Sequence, residues 1–140
     1  MSISEKTKSL LLGLSIGDAL GVPFEFMESE ELQNECFDLM KGYGTYNQPS
    51  GSFSDDSSLT FCLIEALMNQ LNQKETANLF IKWKNEHYWT ANNDTFDIGN
   101  TTYLALENIE KGYSIDQAAP KDEKNCVIEV FVLSICALSV

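Results

Sequence analysis

Residues 54–71 read SDDSSLTFCLIEALMNQL. From Ser58 to Leu71 apolar side chains return every three or four positions, at Leu59, Cys62, Leu63, Ala66 and Leu67. That spacing lines one face of an α-helix. A hydroxyl and two carboxylates, Ser54, Asp55 and Asp56, stand where the helix begins. The preceding stretch, Gly42 to Ser54 (GYGTYNQPSGSFS), is rich in glycine, serine, proline and asparagine, and reads as a loop.

The helical period extends in both directions. Lys8 to Leu20 places Leu12, Ile16 and Leu20 on one face with Leu10 and Leu14 beside them, so this helix is expected to be buried on most sides. Gly13, Gly17 and Gly21 form a stripe that would let another backbone approach, and Gly21, Val22 and Pro23 end the helix. Glu28 to Lys41 suggests a short acidic surface helix. Lys74 to Tyr88 is amphipathic, with Ala77, Phe80, Ile81 and Trp83. Trp89 to Phe96 (WTANNDTF) is a second polar loop. Thr101 to Glu110 carries Leu104, Ala105 and Ile109 on one side and is stopped by Gly112. A last short helix, Ile115 to Ala119, ends at Pro120. Only the final stretch, Val127 to Val140, is ambiguous between helix and strand. The fold class is all-α.

Composition narrows the function. Hydrophobic residues make up 44% and charged residues 21% of 140, an ordinary globular balance for one domain or part of one. Nine Lys+Arg against 21 Asp+Glu give a net charge of -12. Such a surface repels phosphate backbones, which argues against nucleic acid as a partner, and it suits divalent cations. No signal peptide is read in the first residues. The apolar tail 127–140 contains Glu129 and is shorter than the roughly 20 residues a membrane helix needs. Cys36, Cys62, Cys126 and Cys136 show no C-x-x-C spacing and read as reduced thiols of a cytoplasmic protein. His87 is the only histidine, which removes zinc sites built on several imidazoles. No G-x-G-x-x-G or G-x-x-x-x-G-K-[ST] is present, so a nucleotide loop has no support.

Five acids and a serine stand out as candidates for chemistry. One aspartate at the start of a helix is explained as a cap, which accepts backbone N–H groups and complements the dipole. Asp55 and Asp56 together with Ser54 make a hard-oxygen cluster of the type that Mg²⁺ or Mn²⁺ prefers. Asp18, inside an apolar run, must be hydrogen-bonded or paired, and its simplest role is a structural carboxylate tying loops together. Glu25 lies between Phe24 and Phe26; an apolar surround would raise its pKa and suit it to proton transfer, against the plain alternative of a surface glutamate. Asp97 by default is an N-cap or Asx-turn residue. Asn100, Thr101 and Thr102 can do that work equally well, leaving Asp97 free to face a site. His87, in a polar helix end, reads as a surface or interface residue.

Three segments, LLLGLSIGDALGVPFEF (10–26), GSFSDDSSLTFCLIEAL (51–67) and FDIGNTTYLAL (96–106), resemble in order and spacing the ADP-ribosylglycohydrolase family, all-helical enzymes typified by the dinitrogenase reductase-activating glycohydrolase. The resemblance implies a pair of divalent metals, Mg²⁺ or Mn²⁺, that hold the ribose hydroxyls of an ADP-ribosyl group and position a water for attack at the anomeric carbon. It implies metal ligation by Ser54, Asp55 and Asp56, a proton-handling role near the metals for Glu25, and for Asp97 a place near the scissile bond. The implied substrate is an ADP-ribosylated protein or a small ADP-ribosyl compound.

The chain also departs from that family. Members run well beyond this length and carry a G-N-G-[SA]-x-x-R segment and then a D-x-D-[ST] motif that completes the metal pair. Neither is present, and the sequence changes from polar (PKDEKN) to apolar at 127–140. The expectation is therefore that residues 1–140 are the N-terminal part of one domain with an incomplete C-terminus. Such a truncated chain is expected to lack full activity, with a metal site half supplied, and to self-associate through exposed apolar surface. The alternatives are a non-catalytic remnant, or a small helical interaction protein in which the aspartate pair only caps a helix.

Overall fold

A computed structural model of the chain describes residues 2–33 and 40–119. Helices are the regular structure among these residues, with no strand, as the periodicity requires. In chain order they are α1 (Ile3–Gly21), α2 (Ser29–Leu32), α3 (Asp55–Met68), α4 (Gln73–Glu86), α5 (Asn100–Glu110) and α6 (Ile115–Ala118), with a 3₁₀ turn at Val22–Phe24 after α1.

Local chemistry sets the helix ends. The Ser2 hydroxyl accepts from the Glu5 N–H at 3.2 Å while the Ser2 N–H donates to the Glu5 carboxylate at 2.6 Å, a reciprocal capping box. Asn72 and Glu75 repeat it at the start of α4, with distances of 3.1 and 2.8 Å. Each such cap contributes about 0.5–2 kcal/mol. At the end of α5, Gly112 takes φ 93°, and the N–H groups of Gly112 and Tyr113 return to the carbonyls of Ile109 and Asn108. A side chain there would be strained, which explains the glycine stop.

The core is the hairpin of α3 and α4 with α5 laid across it. Cys62 and Ala66 of α3, Leu79, Phe80 and Trp83 of α4, and Leu106 of α5 are buried together. Burial of each large side chain contributes roughly 1.5–3 kcal/mol. Lys84 joins α4 to α5: its ammonium donates to Glu107 at 2.7 Å and to Glu110, and it lies 5.0 Å from the Tyr103 ring centre. Glu65 on α3 accepts from the Tyr88 hydroxyl at 2.9 Å and the Trp89 indole N–H at 2.7 Å, which fixes the start of the loop after α4.

Several expectations need correction. Leu104 and Leu67 face solvent, and Leu106 takes the core place on α5, because that helix is wedged between α4 and α6 and buries the Ala105–Leu106 edge. The helix expected from Glu28 to Lys41 is, among the described residues, the single turn Ser29–Leu32. The first helix is not covered on most sides by the described residues. Leu10 and Leu12 are 73% and 63% exposed, Ala19 is its one buried residue, and no heavy atom would meet a Cβ at Gly13, Gly17 or Gly21 within 4 Å. The reason is geometric: α1 meets α3 and the 3₁₀ turn, whereas α4, α5 and α6 pack on one another. Cys62 is the buried free thiol expected of it, held high in pKa by burial. Cys36, Cys126, Cys136 and the tail 127–140 lie outside the described residues. No helix among the described residues is long and apolar enough to cross a membrane.

Candidate functional site

The N-terminus of α3 is capped from another helix. Asp18, near the end of α1, accepts the Ser54 N–H at 3.0 Å to each oxygen, the Ser57 N–H at 3.1 Å and the Ser57 hydroxyl at 2.6 Å. The first N–H groups of a helix have no partner within it. Asp18 supplies that partner and matches the positive end of the helix dipole. It is the structural carboxylate expected of a charge placed in an apolar run. Capping therefore does not fall to Asp55 or Asp56. Ser54 occupies the N-cap position without a side-chain cap bond, and the two aspartates follow it in the first turn.

The aspartate pair is held where its charge is costly. Asp55 is pushed up to about 7, first by burial and then by the charges of Asp97 and Asp56, against a lowering hydrogen bond from Ser54. Asp56, at the more exposed edge, is also raised, by partial desolvation and then by Asp18 and Asp97. Among the described residues, the charges acting on the pair are carboxylates. Crowded hard-oxygen donors are the donor chemistry that a divalent cation neutralises, so these residues fit one. Among the described residues, however, no three His, Cys, Asp or Glu side chains gather closely enough to enclose an ion alone.

Glu25 and Asp97 meet from opposite sides. Glu25 follows the 3₁₀ turn Val22–Phe24, and its carboxyl is raised to about 7, by burial first and then by a hydrogen bond with Asp97. The rise expected of Glu25 is present with burial as its largest cause, although Phe26 itself is exposed. Asp97 lies in the loop between α4 and α5 with φ 58°, a left-handed backbone uncommon outside glycine. It caps nothing: the N-cap of α5 is Gly99, with no side-chain cap bond from any residue. Asn100, Thr101 and Thr102 do not take the cap either, and Asp97 instead accepts from the Tyr46 hydroxyl. His87 is exposed, closes α4 in a left-handed conformation, and sits 2.9 Å by Nδ1 from the Thr95 hydroxyl.

Two loops carry the site and are sewn together by side chains. The Tyr46 hydroxyl donates to Asp97 Oδ1, Gln48 Nε2 donates to Asp94 Oδ2 at 2.7 Å, and Asn92 Nδ2 donates to the Ser52 hydroxyl. The first loop is also stitched to the segment that bears Glu25. Thr45 donates from its N–H to the Pro23 carbonyl at 3.3 Å and from its hydroxyl to the Glu25 carbonyl at 2.6 Å. Gly44 allows this approach, since a Cβ there would lie 2.1 Å from the Pro23 oxygen. Sequence reading missed Tyr46. A tyrosine inside a Gly/Ser-rich loop carries no periodic signal that separates it from a surface aromatic.

The sequence model of the ADP-ribosylglycohydrolase family matches residues 1–138. The chain is 34% identical over 105 residues to the ADP-ribosylarginine hydrolase Tri1 of Pseudomonas putida, covering 74% of this chain and 28% of that protein. It is 34% identical over 109 residues to the Tri1 hydrolase of Serratia proteamaculans, covering 76% of this chain and 29% of that one. An uncharacterised protein of Archaeoglobus fulgidus is 28% identical over 114 residues. The chain thus spans less than a third of the length of the two curated Tri1 relatives.

Proposed function

Because the chain belongs to the ADP-ribosylglycohydrolase family, we propose that its carboxylate cluster serves a divalent-metal-dependent hydrolase that removes ADP-ribose from an arginine side chain of a modified protein. One observation carries this reading. Asp97 acts electrostatically on Glu25, Asp55 and Asp56, so acids from three separate segments converge on it. The choice of arginine comes from the Tri1 relatives, which are ADP-ribosylarginine hydrolases by name.

In the hydrolysis, a water oxygen bonds to the anomeric carbon of the ribose as the bond from that carbon to the guanidine nitrogen breaks. The electron pair leaves with the nitrogen, which takes a proton, and the water gives one up. Ser54, Asp55 and Asp56 would hold Mg²⁺ or Mn²⁺, which when bound supplies Lewis-acid polarisation and a fixed template. Glu25, with a pKa of about 7, exchanges a proton readily at neutral pH and is the residue suited to receive or return it. Asp97, in its left-handed turn beside Glu25, would stand near the scissile bond. Asp18 stays outside the chemistry and keeps the start of α3 in place.

The test is release of ADP-ribose from an arginine-modified peptide by the full-length protein, with and without Mg²⁺ or Mn²⁺. Release is expected with metal and lost by two orders of magnitude or more, about 2.7 kcal/mol, in Glu25→Gln and Asp97→Asn. No release by the wild type, or undiminished release by both variants, overturns the reading.

A further inference from the structure

The proposed chemistry uses Glu25 and Asp97 and leaves Tyr46 without a role, yet Tyr46 engages both acids. Its hydroxyl donates to Asp97 Oδ1 across 51 positions of chain and also engages the Glu25 carboxyl. Its ring contacts the sequence neighbour of each acid. Phe26, next to Glu25, meets it edge-on with centres 6.4 Å apart, and Phe96, next to Asp97, packs at 5.3 Å. We propose that Tyr46 is the positioning residue that sets the spacing and orientation of Glu25 and Asp97. This inference rests on the hydrolase reading above.

Three physical facts support it. Two neighbouring carboxyls repel once both ionise, and they separate unless something holds them. A lysine or arginine between them would hold both as carboxylates and remove proton exchange. A tyrosine hydroxyl is a neutral donor, and burial together with the Asp97 hydrogen bond raises its pKa, so it keeps its proton. Secondly, Phe26 and Asp97 both sit at left-handed φ, 60° and 58°, which persists only where neighbours enforce it. The Tyr46 ring lies edge-on to Phe26 and its hydroxyl bonds Asp97, so both left-handed residues border it. Thirdly, the loop that presents Tyr46 is itself fixed, by Thr45 bonded to Pro23 and Glu25 and by Gly44 seated against Pro23. A clamp of this kind needs a rigid base.

Tyr46→Phe tests the claim, since it keeps the ring contacts and removes only the hydroxyl. In the full-length protein the variant is expected to melt as the wild type does and to keep KM within about twofold, while kcat falls about ten- to a hundredfold, the range for a misplaced reacting group. Amide hydrogen exchange at residues 94–98 is expected to speed up while that of α3 and α4 stays unchanged. Gly44→Ala, which must push the loop off Pro23, is expected to reproduce the kcat loss with Tyr46 intact. Wild-type kcat in Tyr46→Phe, or unchanged exchange at 94–98, overturns the proposal. A fall in melting temperature and a rise in KM with kcat unchanged would make Tyr46 merely structural and also overturns it. If the wild type releases no ADP-ribose, the hydrolase reading fails, while the exchange measurement still decides whether Tyr46 holds Asp97.

Discussion

The Ser57 hydroxyl lies 2.6 Å from Oδ2 of Asp18, 39 positions earlier in the chain, and the Ser57 N–H points at the same oxygen from 3.1 Å. One side chain of α1 therefore receives the opening of α3, and the placement of Asp55 and Asp56 depends on it.

Asp18→Asn should be costly for so small a change. The amide cannot accept on both sides, and hydrogen bonds to a charged acceptor are worth about 1.5–3 kcal/mol each. We expect urea denaturation to show a loss of at least about 1.5 kcal/mol, and Ser57→Ala a smaller loss of about 1 kcal/mol because its backbone N–H remains. An unchanged midpoint in Asp18→Asn would contradict the capping role.

Metal binding should depend on the pair that follows. Calorimetric titration with Mn²⁺ is expected to show at least tenfold weaker affinity, about 1.4 kcal/mol, in Asp55→Asn and in Asp56→Asn. Equal affinity in wild type and both variants would leave the carboxylates without a metal role.

Stability of the metal-free chain should pass through a maximum with pH. Glu107 and Glu110 are held below the usual carboxylate range, chiefly by the Lys84 hydrogen bond. Their contribution is present above the unfolded value of about 4.3 and lost as pH falls through their lower folded values. Glu25 and Asp55, raised to about 7, act in the opposite sense. Their protonated forms favour the fold below about pH 4, and that contribution is lost as pH rises through 7. Urea midpoints in EDTA should therefore peak at about pH 4–5 and decline toward neutrality. A midpoint rising steadily from pH 4 to 8 would refute this balance.

Neighbouring leucines of α5 should differ sharply. Leu106 is wholly buried and Leu104 is 49% exposed. Leu106→Ala is expected to cost about 2–5 kcal/mol and Leu104→Ala no more than about 0.5. Equal losses in thermal denaturation would mean that the two do not face as described.

That pair also marks what the sequence could and could not reveal. Period alone locates α3 and α4, since Cys62, Ala66, Ala77, Phe80 and Trp83 recur at helical spacing and all are buried. It cannot fix the rotation of a short helix such as α5, where the choice between Leu104 and Leu106 depends on contacts from α4 and α6. The apolar content of α1 predicts burial, but the described residues cover only its C-terminal end. For the site, residue type was informative wherever a carboxylate stood at an unexpected place, as at Asp18, Glu25, Asp55 and Asp56. Tyr46 was illegible because its meaning lies in Phe26, Phe96 and Asp97, side chains 20 to 51 positions away that no local window contains.

The seam between the two loops bears on how the protein assembles. Its bonds pair residues 46 with 97, 48 with 94 and 52 with 92, and the α3–α4 hairpin lies between the two halves. Closing a loop costs entropy that grows with its length, but a hairpin already formed brings residues 54 and 87 near each other. Only the short remainders on either side then have to find their partners. The long-range contacts of the site thus become short-range closures once the hairpin has collapsed, which predicts an order of folding from helical hairpin to seam to acid pair.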